Sequence, residues 1–212
     1  MGIDIHVGTG PVDLQKVKDA GHSFVICKAT EGSHYKDSAI KAWFATMKEL
    51  DMIRGAYHFF HVGVDINLQA ENFINQLEDI GYDKINDLPP ILDLEDRAGT
   101  TEYGVVDMRI DVSEWLKIIQ NEFGVMPIIY MDFDFAQNLL GSGWQGHELW
   151  LAEYTSETPK IPKPWTSYLF WQYSESGSVP GCPDGVVDMD HYNGSEAELR
   201  QWIKNIHNLG SS

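Results

Sequence analysis

Strand and helix signals alternate along most of this 212-residue chain. Short apolar runs typical of buried strands are followed by stretches in which apolar residues recur every three or four positions, the spacing of a helix. Repeated strand–helix units predict a parallel sheet, and eight strands suffice to close one into a barrel. The eight predicted strands cover residues 2–5, 23–28, 53–60, 91–95, 127–131, 149–154, 169–173 and 186–189.

The helical signals weaken toward the end of the chain. Helical spacing covers residues 38–50, 66–80 and 106–123, a short helix follows Asp13, and a last helix begins at Ser195. No full helix separates the last three strands. We therefore predict an α/β fold, an irregular barrel that is mostly β in its last part. The length suits a single domain over residues 1–212, since barrels of roughly 200–250 residues form one domain.

The net charge of the chain limits the classes of molecule that it can bind. The chain has 15 basic and 32 acidic residues, a net charge of −17, which argues against binding nucleic acid or an anionic membrane. No apolar run reaches the ~20 residues of a membrane span. The sequence begins directly on a predicted strand, so we expect no signal peptide. It contains no Gly-rich phosphate loop, and Cys27 and Cys182 are expected to be free thiols.

Four acidic residues fall where strands of a parallel barrel should end, which is where such barrels carry their active sites. They are Asp4, Asp93, Glu95 and Asp188. Asp93 and Glu95 are two positions apart, so on a strand they share a face, with Cα atoms roughly 6.5–7 Å apart. Crowded carboxylates raise one another's pKa, which suits a general acid. The alternative is an edge strand whose acids face solvent, and the pattern alone favours neither.

Aromatic residues lie near the same strand ends, and they could stack on sugar rings or pack in the core. The candidates are Tyr57, Tyr130, Trp150, Tyr154 and Trp171. A competing hypothesis makes the acids metal ligands, because His58 could join Asp4, Asp93 and Glu95 around a divalent ion.

Several short motifs occur here in the order and spacing of a known family. They are Gly2-Ile3-Asp4, Lys28-Ala29-Thr30-Glu31-Gly32, Gly55-Ala56-Tyr57-His58-Phe59, Asp93-Leu94-Glu95, Leu149-Trp150-Leu151-Ala152, Trp171-Gln172-Tyr173-Ser174 and Val187-Asp188. With them the chain resembles the glycoside hydrolase family 25 lysozymes, the Chalaropsis-type muramidases that include phage endolysins. The resemblance implies an irregular TIM-like (β/α)5(β)3 barrel. It also implies hydrolysis of the β-1,4 bond between N-acetylmuramic acid and N-acetylglucosamine, with no metal and no cofactor.

The resemblance also assigns roles. Glu95 matches the catalytic acid, Asp93 its partner, and Asp4 and Asp188 two further active-site acids. The implied substrate-binding residues are Tyr57, Tyr130, Trp150, Tyr154, Trp171 and Glu31. The implied partner is bacterial peptidoglycan, and we expect a monomer that acts extracellularly on the cell wall without a separate wall-binding module. Without a signal peptide, it would leave the cytoplasm as endolysins do, or its leader is missing from this sequence.

Two stretches depart from the family pattern. Ile5-His6-Val7-Gly8-Thr9 follows the first acid where members commonly have Ser-x-Trp-Gln, and Asp190 replaces the usual Asn after the last acid. The altered loop supports an alternative from another class, a non-catalytic glycan-binding barrel. The third alternative is a metal-dependent hydrolase built on His58 and the acids.

Overall fold

The computed structural model describes residues 1–141, 143–155 and 157–209, with residues 207–209 described by their backbone only. The predicted domain boundary at Ser212 therefore lies outside the described residues. The described strands are β1 (Gly2–Ile5), β2 (Phe24–Glu31), β3 (Tyr35–Lys36), β4 (Ile53–Phe59), β5 (Ile91–Asp93), β6 (Ile128–Asp132), β7 (Leu149–Ala152), β8 (Phe170–Gly177) and β9 (Val187–Tyr192).

Helices follow most of the early strands, and one more helix follows the last strand. They are α1 (Leu14–Asp19), α2 (Ile40–Glu49), α3 (Ile66–Asp79), α4 (Arg97–Tyr103), α5 (Val105–Phe123) and α6 (Glu196–Leu209), together with a 3-10 helix at Val7–Thr9 and a π-helix at Phe135–Leu140. The π-helix connects β6 to β7, and no described helix separates β7, β8 and β9. None of the described helices is both long and apolar enough to cross a membrane.

Eight of the strands close into a barrel. β1, β2, β4, β5, β6, β7 and β8 run parallel in that order, whereas β9 is antiparallel to both β8 and β1 and closes the ring. β3 pairs only with the end of β2, as an antiparallel extension outside the barrel. The predicted α/β barrel with five β/α units and three final strands is confirmed.

The two-residue period of a strand divides the core into two layers. Leu92, Ile129 and Leu151 point outward and pack with the helices, among them Trp115 of α5. Phe24 and Phe170 point inward, and Leu199 and Ile203 of α6 join them. Because these inward residues lie near the amino ends of the parallel strands, α6 covers that end of the barrel.

The bounds of two strands differ from the prediction in ways that concern the acids. β5 ends at Asp93, so Glu95 follows the strand instead of lying within it. Glu95 keeps the strand's alternation, because Leu94 N–H still donates to the Tyr130 carbonyl of β6 at 3.0 Å. β9 runs on to Tyr192 and so contains Asp190. Helix α4 was not predicted from the sequence; Asp96 caps it.

The two cysteines are free thiols, as expected. Cys27 on β2 is buried in the outer layer of the core, whereas Cys182 is partly exposed. Burial raises the pKa of the Cys27 thiol well above its usual range, so it is a poor thiolate.

Candidate active site

A pocket of about 210 Å³ opens at the carboxyl ends of the parallel strands. All four acids singled out in the sequence line it. The lining residues are Asp4, Tyr57, Asp93, Glu95, Tyr130, Trp150, Tyr154, Gln172, Glu175 and Asp188.

Strand alternation explains why acids from distant parts of the chain meet here. On β1, Ile3 and Ile5 enter the outer core, so Asp4 between them faces the barrel interior. Asp188 on β9 lies directly opposite Asp4 in the antiparallel pair, on the same face. The carboxyl end of β5 brings in Asp93, and Glu95 follows two residues later.

Asp93 and Glu95 form the first pair of carboxyl groups. Asp93 is 5% exposed, and its Oδ1 accepts no hydrogen bond from the described residues. Burial, and then the charge of Glu95, raise the pKa of Asp93 well above its usual value. The pKa of Glu95 is also raised, by burial and by the charge of Asp132, while Lys28 opposes the rise in both. Glu95 is thus disposed to hold a proton, as a general acid must.

A second group of carboxyls lies across the pocket and consists of Asp4, Asp188 and Asp190. Asp4 is buried, and its Oδ2 accepts a hydrogen bond from Gln172 Nε2 at 2.7 Å. Burial, then Asp190 and Asp188, raise the pKa of Asp4 well above its usual value. Burial also raises the pKa of Asp188 to about 6. Burial and mutual repulsion thus favour the protonated forms of these acids.

Gln172 connects these acids to the aromatic side of the pocket. Its Oε1 accepts hydrogen bonds from Tyr130 OH at 2.8 Å and Tyr154 OH at 2.9 Å, while its Nε2 donates to Asp4. We did not predict Gln172 as a site residue. The available signal was a polar residue with inward periodicity on an aromatic strand, since Phe170 two positions earlier is also inward.

The predicted aromatic residues do not all reach the pocket surface equally. Tyr57 and Tyr130 are each 8% exposed and Trp150 only 1%, so they form its floor and walls. Tyr154 is 52% exposed, so about half of its surface is open to solvent, as in a residue that stacks on a sugar.

Trp171, also predicted to bind substrate, does not line this pocket. Its neighbour Gln172 faces the barrel interior, so alternation turns Trp171 to the outer face of β8. There it contacts Tyr168 and Tyr173, and its Nε1 donates to the Glu153 carbonyl at 2.7 Å. Trp171 buttresses the segment that carries Tyr154.

Glu31, also predicted to bind substrate, lies beside the pocket without lining it. Its carboxylate forms an ion pair with Lys28 and a hydrogen bond with His61, whose Nε2 is 2.9 Å from Oε1. The Lys28 ammonium lies over the Phe59 ring, 4.8 Å from its centroid. Glu31 thereby holds Lys28, the cation that opposes the rise in the pKa values of Asp93 and Glu95.

His58 cannot join the acids as a metal ligand. It follows the inward-facing Tyr57 on β4, so its ring lies outside the barrel, fully buried and stacked on Trp115. Both ring nitrogens have partners there, Thr30 Oγ1 at 2.7 Å and Gln69 Oε1 at 3.2 Å. Burial lowers the pKa of His58 to about 3. Over the described parts of the chain, no three His, Cys, Asp or Glu side chains are arranged to hold a metal ion.

The loop that departs from the family pattern after Asp4 forms the 3-10 helix Val7–Thr9. The Gly8 N–H donates to His6 Nδ1 at 3.1 Å, and the Val7 N–H donates to Asp37 Oδ2 at 2.7 Å. None of these loop residues lines the pocket. The altered residues therefore stabilise their own loop and leave the acids in place.

Two hollows extend the pocket into a groove. One, of about 560 Å³, shares Glu95, Tyr130 and Tyr154 with it and reaches the Arg97–Asp132 ion pair. The other, of about 420 Å³, shares Tyr154 and Glu175. Glu175 is a second pocket residue that we did not predict, because the chain leaves regular pairing with β9 around Ser174 and ordinary alternation no longer applies. A groove open on both sides suits an extended polymer.

Comparisons with known proteins agree on one family. The family model for "Glycosyl hydrolases family 25" matches residues 3–182. Lysozyme M1 of Streptomyces globisporus is 32% identical over 207 residues, covering 93% of this chain and 69% of that protein. The bacterial lysozyme from Streptomyces coelicolor has a TM-score of 0.86 at 31% identity and 97% coverage of both chains. The muramidase from Acremonium alcalophilum has a TM-score of 0.83 at 29% identity, covering 96% of this chain and 98% of that one.

Proposed function

The chain belongs to glycosyl hydrolase family 25, and from that premise we propose that it hydrolyses the β-1,4 bond between N-acetylmuramic acid and N-acetylglucosamine in bacterial peptidoglycan. One observation carries the proposal: Asp4, Asp93, Glu95 and Asp188 line one pocket at the carboxyl end of the barrel. Pairs of carboxyl groups of unequal environment are what acid-catalysed glycosidic cleavage requires.

In the proposed reaction Glu95 protonates the oxygen that leaves. It lines both the pocket and the larger adjoining hollow, so a sugar chain threaded through the groove would place a glycosidic oxygen beside it. Burial raises the pKa of Glu95, which favours the protonated form that a general acid needs. Protonation lets the C–O bond break as positive charge develops at the anomeric carbon.

Asp93 acts on the substrate's own acetamido group in this proposal. Asp93 lines the pocket and no described residue donates a hydrogen bond to its Oδ1, so its carboxyl group can accept one from the acetamido N–H. The acetamido oxygen then attacks the anomeric carbon, and water later opens the intermediate with retention of configuration. Asp4 and Asp188 stabilise the positive charge from the opposite side.

The proposal is tested by the sugar found at the new chain ends. Purified peptidoglycan is digested, reduced with borohydride and analysed by mass spectrometry. Reduced muramic acid is the expected product, whereas reduced glucosamine would assign a glucosaminidase. Reproducible binding without any new reducing end would contradict hydrolysis and favour a glycan-binding barrel. Activity abolished by a chelator and restored by a divalent ion would contradict the metal-free mechanism.

The net charge of −17 makes a further prediction about wall binding. Many bacterial walls carry anionic polymers, so long-range electrostatics opposes approach and affinity must come from the groove. Between about 0.01 and 0.1 M salt the Debye length falls from ~30 to ~10 Å, which relieves repulsion. We expect sedimentation with purified walls to show binding that rises or stays level over this range. A steep fall in bound protein would contradict the prediction.

We also propose that the protein acts as a monomer outside the cytoplasm, on the cell wall. The groove residues come from one chain, and the acids meet within one barrel, so the site is complete without a second copy.

A further inference from the structure

Asp190 is a fully buried carboxyl group to which the proposed reaction gives no task. It lies on β9 two residues after Asp188, so both face the barrel interior. Its Oδ1 accepts a hydrogen bond from Trp150 Nε1 at 2.8 Å, whereas its Oδ2 has no partner among the described residues. A buried carboxylate oxygen without a donor is destabilising, so Asp190 requires an explanation.

The neighbour that can satisfy Asp190 is another acid. Asp190 pairs with Gly2 across β9 and β1, which places Asp4 diagonally beside it on the same face. The Asp4 and Asp190 carboxyl groups are within hydrogen-bonding reach of each other. Two buried carboxylates at this separation repel strongly, but a single proton between them turns the repulsion into a hydrogen bond.

We propose that Asp190 is a positioning residue that shares one proton with Asp4, and that the resulting carboxyl–carboxylate hydrogen bond holds Asp4 against Gln172. The proton sharing itself is independent of the function proposed above; its effect on catalysis rests on that function. The pair links Trp150 on one side to Gln172, and through it to Tyr130 and Tyr154, on the other.

The groups around Asp190 favour the shared proton. Asp190 faces Asp4 from β1, Asp188 from its own strand, Gln172 from β8 and the neutral Trp150 from β7, and the Met1 amino group lies just before β1. Burial raises the pKa of Asp190 to about 7, with Asp188 adding to the rise and the Met1 ammonium opposing it. The pKa of Asp4 is raised well above its usual value by burial and by Asp190.

Loss of the shared proton should break the hydrogen bonds that link Asp4 through Gln172 to Tyr130 and Tyr154. Above the titration of the pair, two negative charges face each other in a buried site, and their repulsion drives Asp4 away from Gln172. Tyr130 and Tyr154 share the Gln172 amide, so they lose their common anchor. We therefore expect activity to decline at alkaline pH, in part through loss of this shared proton.

Asp190→Asn tests the proposal. The asparagine Oδ1 still accepts from Trp150, while its Nδ2 donates permanently to Asp4 and cannot titrate. We expect the ratio of variant to wild-type kcat/KM to rise about tenfold per pH unit above the titration of the pair. Glu49→Gln, which removes one negative charge from an exposed position of α2, should superimpose on the wild-type pH profile. A pH profile of kcat/KM for Asp190→Asn that runs parallel to the wild-type profile at every pH would overturn the proposal.

Thermal stability against pH gives a readout that does not depend on hydrolysis. Because the pKa of Asp190 in the folded state is raised, from 3.8 to about 7, the native protein binds more protons than the unfolded chain between those values. The contribution of Asp190 to wild-type stability must therefore fall as pH rises through that range. Asp190→Asn is expected to make stability depend less on pH over this range. Asp4→Asn should have the same effect, because its side-chain amide is a permanent donor to Asp190.

Stability against pH tests the proton sharing, whereas release of muramic acid ends tests the proposed hydrolysis. Flattened stability profiles together with no release of muramic acid ends by the wild type would leave the proton sharing intact and reject the proposed function. Profiles of both variants that follow wild type would overturn the proton sharing even if the enzyme cleaves peptidoglycan. If Asp190→Asn fails to fold, the Asp4→Asn profile decides alone.

Discussion

Replacing Glu95 by glutamine is expected to lower the rate of peptidoglycan hydrolysis by about 10²- to 10⁴-fold, the usual contribution of general acid catalysis. Glutamine has the shape of glutamic acid but no proton to give to the leaving oxygen. The protein should remain folded and no less stable, because burial raises the pKa of Glu95. A raised pKa means that ionised Glu95 opposes folding at neutral pH, and the neutral amide removes that opposition.

Release of new reducing ends measures the activity, and urea unfolding measures the stability. Glu49→Gln is the matched control, since it makes the same chemical change at an exposed position remote from the groove. Its activity should equal that of wild type. Hydrolysis by Glu95→Gln at the wild-type rate, with the control also active, would show that another group protonates the leaving oxygen.

Replacing Arg54 by alanine is expected to lower the free energy of unfolding by about 3–5 kcal/mol at neutral pH, the usual cost of breaking a buried ion pair. Arg54 on β4 is 5% exposed and Asp87 is 2% exposed. Their bond is bidentate, with Nε to Oδ1 at 2.7 Å and Nη2 to Oδ2 at 2.8 Å, and Nη1 also donates to the Phe44 carbonyl. Removing the guanidinium leaves Asp87 buried without its counter-charge.

The pH dependence of the loss in free energy of unfolding distinguishes a lost ion pair from lost packing in Arg54→Ala. Burial raises the pKa of Asp87 and Arg54 opposes the rise, so the variant's Asp87 takes up a proton more readily. The stability deficit of Arg54→Ala should therefore shrink as pH falls. Lys41→Ala is the control, because its ion pair with Asp79 is exposed and worth less than about 1 kcal/mol. Equal losses in both variants by urea unfolding would refute the argument.

The accuracy of the sequence-based prediction followed the strength of the local pattern. The barrel was predictable because its strands and helices each carry their own periodicity, and both Asp4 and Asp93 are inward positions of short apolar strands. The face that Trp171 takes could not be predicted, because an aromatic strand such as β8 has apolar residues on both sides. The alternative that makes His58 a metal ligand stayed open for the same reason, since its inward neighbour Tyr57 is one residue away.

The sequence by itself determined the α/β architecture, the family and four of the acids in the pocket, because these depend on residue type and on spacing along the chain. The tertiary structure alone decided which charges meet. Asp4 and Asp190 are 186 positions apart in sequence, yet β9 returns antiparallel to β1 and sets them side by side. A proton can be shared only across a few ångströms of low-dielectric space, and closing the barrel creates that space.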